Sequence, residues 1–155
     1  MRKLLAITTL FLMIGCSGGL GPDYSGQIPR SQYPSQTLLI YGGADGDIFL
    51  GKLNARNYDS ESIWNTYGKY GNKYNSESIW NSYGKFGGEY SGYSPFNPYA
   101  SYPPVLVDSY GNFYGYFTCN QYSPRRARSD VADIICEHYK EIRKDISGWY
   151  KKIFE

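Results

Sequence analysis

Histidine is almost missing from this chain: His138 is the one copy in 155 residues. That removes the commonest general base and metal ligand from every other position. Cysteine is scarce too, at Cys16, Cys119 and Cys136. Cys136 and His138 lie two apart, and residues two apart on a helix do not face each other, so they do not read as a nucleophile pair. A structural zinc site would need Cys119, Cys136, His138 and a carboxylate to converge, and no metal is expected. The sequence holds no phosphate loop, dinucleotide fingerprint or nucleophile elbow. Asp45-Gly46-Asp47 is too short for a calcium loop and reads as a turn. No catalytic group and no cofactor is expected, and the chain does not read as an enzyme. The apolar run Leu4 to Ile14 is eleven residues, broken by Thr8 and Thr9, whereas a helix needs about 20 to cross a bilayer.

That run follows Arg2 and Lys3 and ends at Gly15-Cys16. A positive start, a short apolar stretch and a small residue before the cut describe a secretory signal. Met13-Ile14-Gly15-Cys16 resembles the lipobox of bacterial lipoproteins, with Met13 where that family prefers Leu. The resemblance implies lipid on the Cys16 sulfur, cleavage before Cys16, acylation of the new amine with a chain such as palmitate, and a membrane anchor. It places the protein in the cell envelope. In a Gram-negative cell, Ser17 rather than Asp after the cysteine implies the outer membrane, facing the periplasm or the surface. Arg2 and Lys3 are two of 16 basic residues against 14 acidic ones, so residues 16–155 carry 14 of each. A formally neutral chain exerts no long-range pull on polyanions, and nucleic acid is not an expected partner. Cys119 and Cys136 are a candidate disulfide in an oxidising compartment; the other reading is two separate buried thiols.

What the chain has in excess is tyrosine, 18 against 7 Phe and 3 Trp, with 18 Gly. Residues 17–36 are rich in Gly, Ser, Pro and Gln and read as a tether. Residues 37–41 and 48–53 read as two strands joined by a Gly-rich turn. Then Tyr58-Asp59-Ser60-Glu61-Ser62-Ile63-Trp64-Asn65-Thr66-Tyr67-Gly68 recurs sixteen residues later from Tyr74 to Gly84. A weaker third copy runs through Tyr90, Ser94, Phe96, Asn97 and Tyr99. Fixed-period similarity signals stacked units. Each unit is expected to hold a short helical turn capped by Ser60 or Ser62 and ended by a left-handed Gly68, with Lys73-Tyr74-Asn75 extended. After Pro103-Pro104, residues 105–108 and 113–118 read as a second hairpin. From Ser129, a candidate N-cap, Val131, Ile135, Tyr139, Ile142, Ile146, Trp149 and Ile153 recur on one helical face, with Gly148 as the expected interruption.

The expected fold class is α+β: two β-hairpins flanking a 16-residue aromatic repeat of short helical turns, plus a C-terminal amphipathic helix. The expected parts are a lipoprotein signal over 1–15, a lipidated tether over 16–36, a hairpin–repeat–hairpin domain over 37–122, and a helix over 123–155 packed on it.

The tract from about Ile40 to Gln121, about half of the chain, resembles small secreted bacterial proteins of unassigned activity. The resemblance lies in Leu50-Gly51, the repeats from Tyr58, Ser94-Pro95-Phe96-Asn97, Pro103 to Asp108, and Gly111 to Phe117. Those proteins often have a Cys-x-x-Cys pair where this chain has Lys52 and Ala55, and a third Trp where it has Phe96. Some carry the tract beside an exported hydrolase domain, a peptidase or a nuclease.

Two readings of the repeat aromatics remain open. Trp64, Trp80, Tyr67 and Tyr83 are candidate ligand contacts, since exposed rings with interleaved Asn suit stacking on sugars and hydrogen bonding to hydroxyls. Alternatively Trp64, Trp80 and Phe96 form the internal ladder of a small core. Arg125-Arg126-x-Arg128 is either a solvated approach to the helix or an anion site. The function expected is a membrane-anchored, non-catalytic envelope module that binds or builds, through contact with glycan or peptidoglycan. The alternative is an accessory or regulatory subunit of an exported hydrolase, with an exported protein as partner.

Overall fold

The computed structural model describes residues 36–54 and 56–155; the signal, Cys16 and nearly all of the 16–36 tether lie outside them. The fold is α+β, one four-stranded antiparallel sheet and two helices. The strands are β1 (Leu39–Gly42), β2 (Ile48–Lys52), β3 (Val105–Val107) and β4 (Phe113–Tyr116). Their order in the sheet is β2-β1-β3-β4. β1 pairs with β2 through Leu39 opposite Lys52, and with β3 through Ile40 opposite Leu106. Alternation does the sorting in β1 and β3, where Ile40 and Leu106 are fully buried between half-exposed neighbours; in β2 Leu50 and Gly51 are both buried.

Between β2 and β3 the described residues form neither helix nor strand. They make a run of turns, each beginning where the last one ends. The amide of Ser62 donates to Asp59, that of Asn65 to Ser62, that of Gly68 to Asn65, that of Asn72 to Gly68, and that of Asn75 to Asn72. The same ladder continues from Asn75 through Ser78, Asn81, Gly84 and Gly88 to Ser91. Four three-residue steps and one four-residue step complete each period of 16. The corners are Asp, Ser, Asn and Gly because those side chains stabilise turns. Among the described residues no helix and no strand forms here; the four-residue steps, Gly68 to Asn72 and Gly84 to Gly88, are single turns that do not continue. Gly68 is not left-handed. It is small because a Cβ there would stand 3.0 Å from the Ser60 carbonyl oxygen.

The ladder carries Trp64, Trp80 and Phe96 inward, ring centroids 5.6 and 6.3 Å apart. The far side of this aromatic row is closed by α1 (Asp130–Ile142) and α2 (Ile146–Phe154). Tyr150 and Phe154 pack on Trp64, and Tyr139 stacks on Phe96 at 4.5 Å. Ser129 caps α1, accepting from the Ala132 amide. The helical segment breaks at Arg143–Asp145 rather than at Gly148. Asp145 caps α2 by accepting from the Gly148 amide at 2.8 Å, so Gly148 lies inside that helix. A disulfide joins Cys119 to Cys136, tying the segment after β4 to α1. No helix of the described residues is long and apolar enough to cross a membrane.

Candidate functional site

Three corner asparagines of the ladder, one in each copy of the repeat, make the same two bonds. The Nδ2 of each donates to the carbonyl six residues back, Asn65 to Asp59, Asn81 to Asn75 and Asn97 to Ser91, each at 3.1 Å. The Oδ1 of each accepts from the amide of the tyrosine two residues on, Tyr67, Tyr83 and Tyr99. Each asparagine therefore spans the two turns before it and fixes the backbone of the tyrosine after it. Those tyrosines point to water, with 99%, 100% and 89% of their surface exposed. A second row, Tyr58, Tyr74 and Tyr90, is 70%, 81% and 96% exposed. Tyr74 hangs from Asn72 in the same way. The device recurs outside the ladder, where Asp108 holds Tyr110 and Asn120 holds Tyr122, both well exposed. Among the described residues six exposed tyrosines thus hang from an Asn or Asp two residues before them, a spacing visible in the sequence. Of these, sequence reasoning selected Tyr67 and Tyr83 as contact residues and passed over Tyr74, Tyr99, Tyr110 and Tyr122.

Trp64 and Trp80 are corrected out of the candidate surface. Each is 1% exposed. Their indole N–H groups are already taken, by the carbonyls of Leu53 and Ile63. Burial without those bonds would leave a polar group unsatisfied, so each tryptophan locks one unit to the layer before it. Serine supports the row from below: Ser62, Ser78 and Ser94 are fully buried and accept from the amides of Trp64, Trp80 and Phe96.

Charge sits at the edges of this surface. Lys52, at the end of β2, bonds Glu61 at 2.9 Å and Asp59 at 3.0 Å. The two acids raise the Lys52 ammonium above its ordinary value, Glu61 most. The Glu61 amide and then Lys52 hold the Asp59 carboxyl below the usual range. Arg143 lies beside the stacked pair Phe96 and Tyr139, 4.7 and 5.1 Å from their ring centroids, and burial lowers its pKa. Its Nη2 donates to the Gly87 carbonyl, which pins the helices to the ladder.

The remaining candidates are dispersed. His138 stacks on Trp149 at 4.7 Å, and Cys136 is in the disulfide. Asp45 and Asp47 lie in and beside the turn that follows β1. Among the described residues no group of three or more His, Cys, Asp or Glu is placed to hold a metal ion. What the arrangement offers chemically is flat aromatic area with phenol hydroxyls at its rim, held on a rigid backbone. The chain matches no family model, no curated protein and no solved structure.

Proposed function

We propose that this chain is a lipid-anchored envelope protein that binds glycan strands of peptidoglycan through its exposed tyrosines. The reading takes residues 58–102 as two copies of one 16-residue unit and a shorter, weaker third, set between two hairpins, which the recurring hydrogen bonds support. The observation that carries it is the pair of tyrosine rows, Tyr67, Tyr83, Tyr99 and Tyr58, Tyr74, Tyr90, almost wholly in water. Rings so exposed add little to the core, so the fold does not require them. A tyrosine has two side-chain torsions and therefore loses little entropy when it grips a ligand. Rings repeated on a rigid ladder match a polymer that also repeats, and several weak contacts add through effective concentration. The lipobox cysteine, Cys16, supplies the anchor, and the neutral charge of residues 16–155 suits a partner recognised by stacking and hydrogen bonds rather than by charge.

The test is co-sedimentation of the purified protein with insoluble peptidoglycan, beside a Tyr67→Ala, Tyr83→Ala, Tyr99→Ala variant. The parent is expected to pellet. The triple variant is expected to keep its circular dichroism melt and to lose most of its binding, about tenfold or more if each ring contributes roughly 0.5 kcal/mol. Equal pelleting of parent and folded variant would remove the tyrosines from the function. A parent that pellets with no envelope polymer but co-purifies with an exported hydrolase would replace this reading with the accessory-subunit one. In cells, Cys16→Ser is expected to move the protein from the membrane fraction to the soluble one.

A further inference from the structure

β4 is an edge strand, and the segment before α1 lies along its open side. The Tyr116 amide donates to the Arg125 carbonyl at 2.8 Å, and the Ala127 amide donates back to Tyr116 at 2.8 Å. Gly115, at φ +142°, makes this approach possible, since a Cβ there would meet the Ala127 backbone at 2.5–2.7 Å. Arg125, Arg126 and Arg128 are therefore mounted on a segment bonded to the sheet, not on a loose approach to the helix.

The three arginines are not equivalent. Arg126 is engaged: its Nε donates to the Thr118 carbonyl at 3.0 Å and its Nη2 pairs with Asp133. Arg125 and Arg128 have no carboxylate partner among the described residues, although Asp130 follows Arg128 closely in the chain. The Arg125 guanidinium lies over Phe113 at 4.7 Å and Tyr116 at 5.4 Å. Resting on rings fixes its plane and leaves in-plane N–H groups free, the geometry that grips a carboxylate or phosphate through two bonds. Phe113 and Tyr114, each a little under half exposed, join the arginines to line a cleft of about 310 Å³. That volume is at the lower end for small-molecule sites.

We propose that this cleft binds an oxyanion, carboxylate or phosphate, carried on a sugar-sized body. The anion lies between Arg125 and Arg128, and the body rests on Phe113 and Tyr114. This site is separate from the tyrosine rows and stands or falls without them.

The test is a calorimetric or NMR titration of the purified protein with glucuronate, glucose 6-phosphate and glucose. Saturable millimolar binding of either acidic sugar, with none of glucose, is the result expected, and the tighter acid identifies the group. Arg125→Gln is expected to weaken that binding about tenfold. Arg128→Gln, at an exposed side chain whose loss leaves the fold intact, is expected to weaken it severalfold. The Tyr67→Ala, Tyr83→Ala, Tyr99→Ala variant is expected to bind as the parent does. Glucose binding as well as the acids, no binding of any of the three, or unchanged affinity in both arginine variants would overturn the proposal.

Discussion

Gly71 and Gly87 are the points where the ladder closes most tightly. A Cβ on Gly71 would fall on the carbonyl of Asn65, and one on Gly87 on the carbonyls of Asn81 and Ile79. The Asn65 and Asn81 carbonyls already accept from Gly68 and Gly84, so neither turn can swing away. Gly71→Ala is expected to destabilise the protein by about 2 kcal/mol through overpacking. Gly92→Ala is the internal control. Its Cβ would be 4.0 Å from the nearest atom, and loss of backbone freedom in the unfolded chain makes it neutral or slightly stabilising, within about 0.5 kcal/mol. Urea unfolding of the two variants decides; equal midpoints would show that the turns have slack. The corner residues were legible, since Asp59, Ser62, Asn65 and Gly68 stand three apart in the sequence and recur sixteen later as Asn75, Ser78, Asn81 and Gly84. Which aromatic faces inward was not. Trp64 and Tyr67 obey the same period, and it is the packing of Trp80, Tyr150 and Phe154 on Trp64 that makes it core while Tyr67 stays at the surface.

At the scale of elements, the strands announced themselves by alternation and α1 by Ser129 followed by Asp130 and Asp133. The break between the helices did not. Ile135, Ile142, Ile146 and Ile153 are all buried, so the apolar period continues through the break and conceals it. The capping aspartate, Asp145, decides the place, and Gly148 is small because a Cβ there would strike that carboxylate. The Cys119–Cys136 disulfide ties α1 to the segment after β4, with 17 residues of separation. A loop of that length removes about 3 kcal/mol of chain entropy from the unfolded state. Guanidinium unfolding with and without a reductant is therefore expected to differ by that amount. If the two curves coincide, α1 is held by Tyr139 on Phe96 and by the Arg143 bond to Gly87, and the disulfide adds nothing.

The whole molecule rests on a match between two spacings. The first unit of the ladder is tied to β2, where the Lys52 amide donates to Glu61 and the Ile63 amide donates to Lys52. The third is tied beyond β4, where the Cys119 amide donates to Pro95. β2 and β4 are opposite edges of one sheet. Strands lie about 4.8 Å apart, so the edges are separated by three such spacings. The aromatic steps of 5.6 and 6.3 Å cover most of that width in two. Three units fit four strands, whereas two units would leave a single aromatic step to span the same width. In an ordinary solenoid each repeat touches only its neighbours, and removing one shortens the protein without unfolding it. Here deletion of residues 75–90, one full period, would pull Phe96 against Trp64 while the sheet still holds the ends apart. The deletion variant is expected to lose cooperative thermal melting and near-ultraviolet circular dichroism. A sharp melt in that variant would mean that the ladder is an independent solenoid leaning on the sheet, and that the number of tyrosines it displays is free to change.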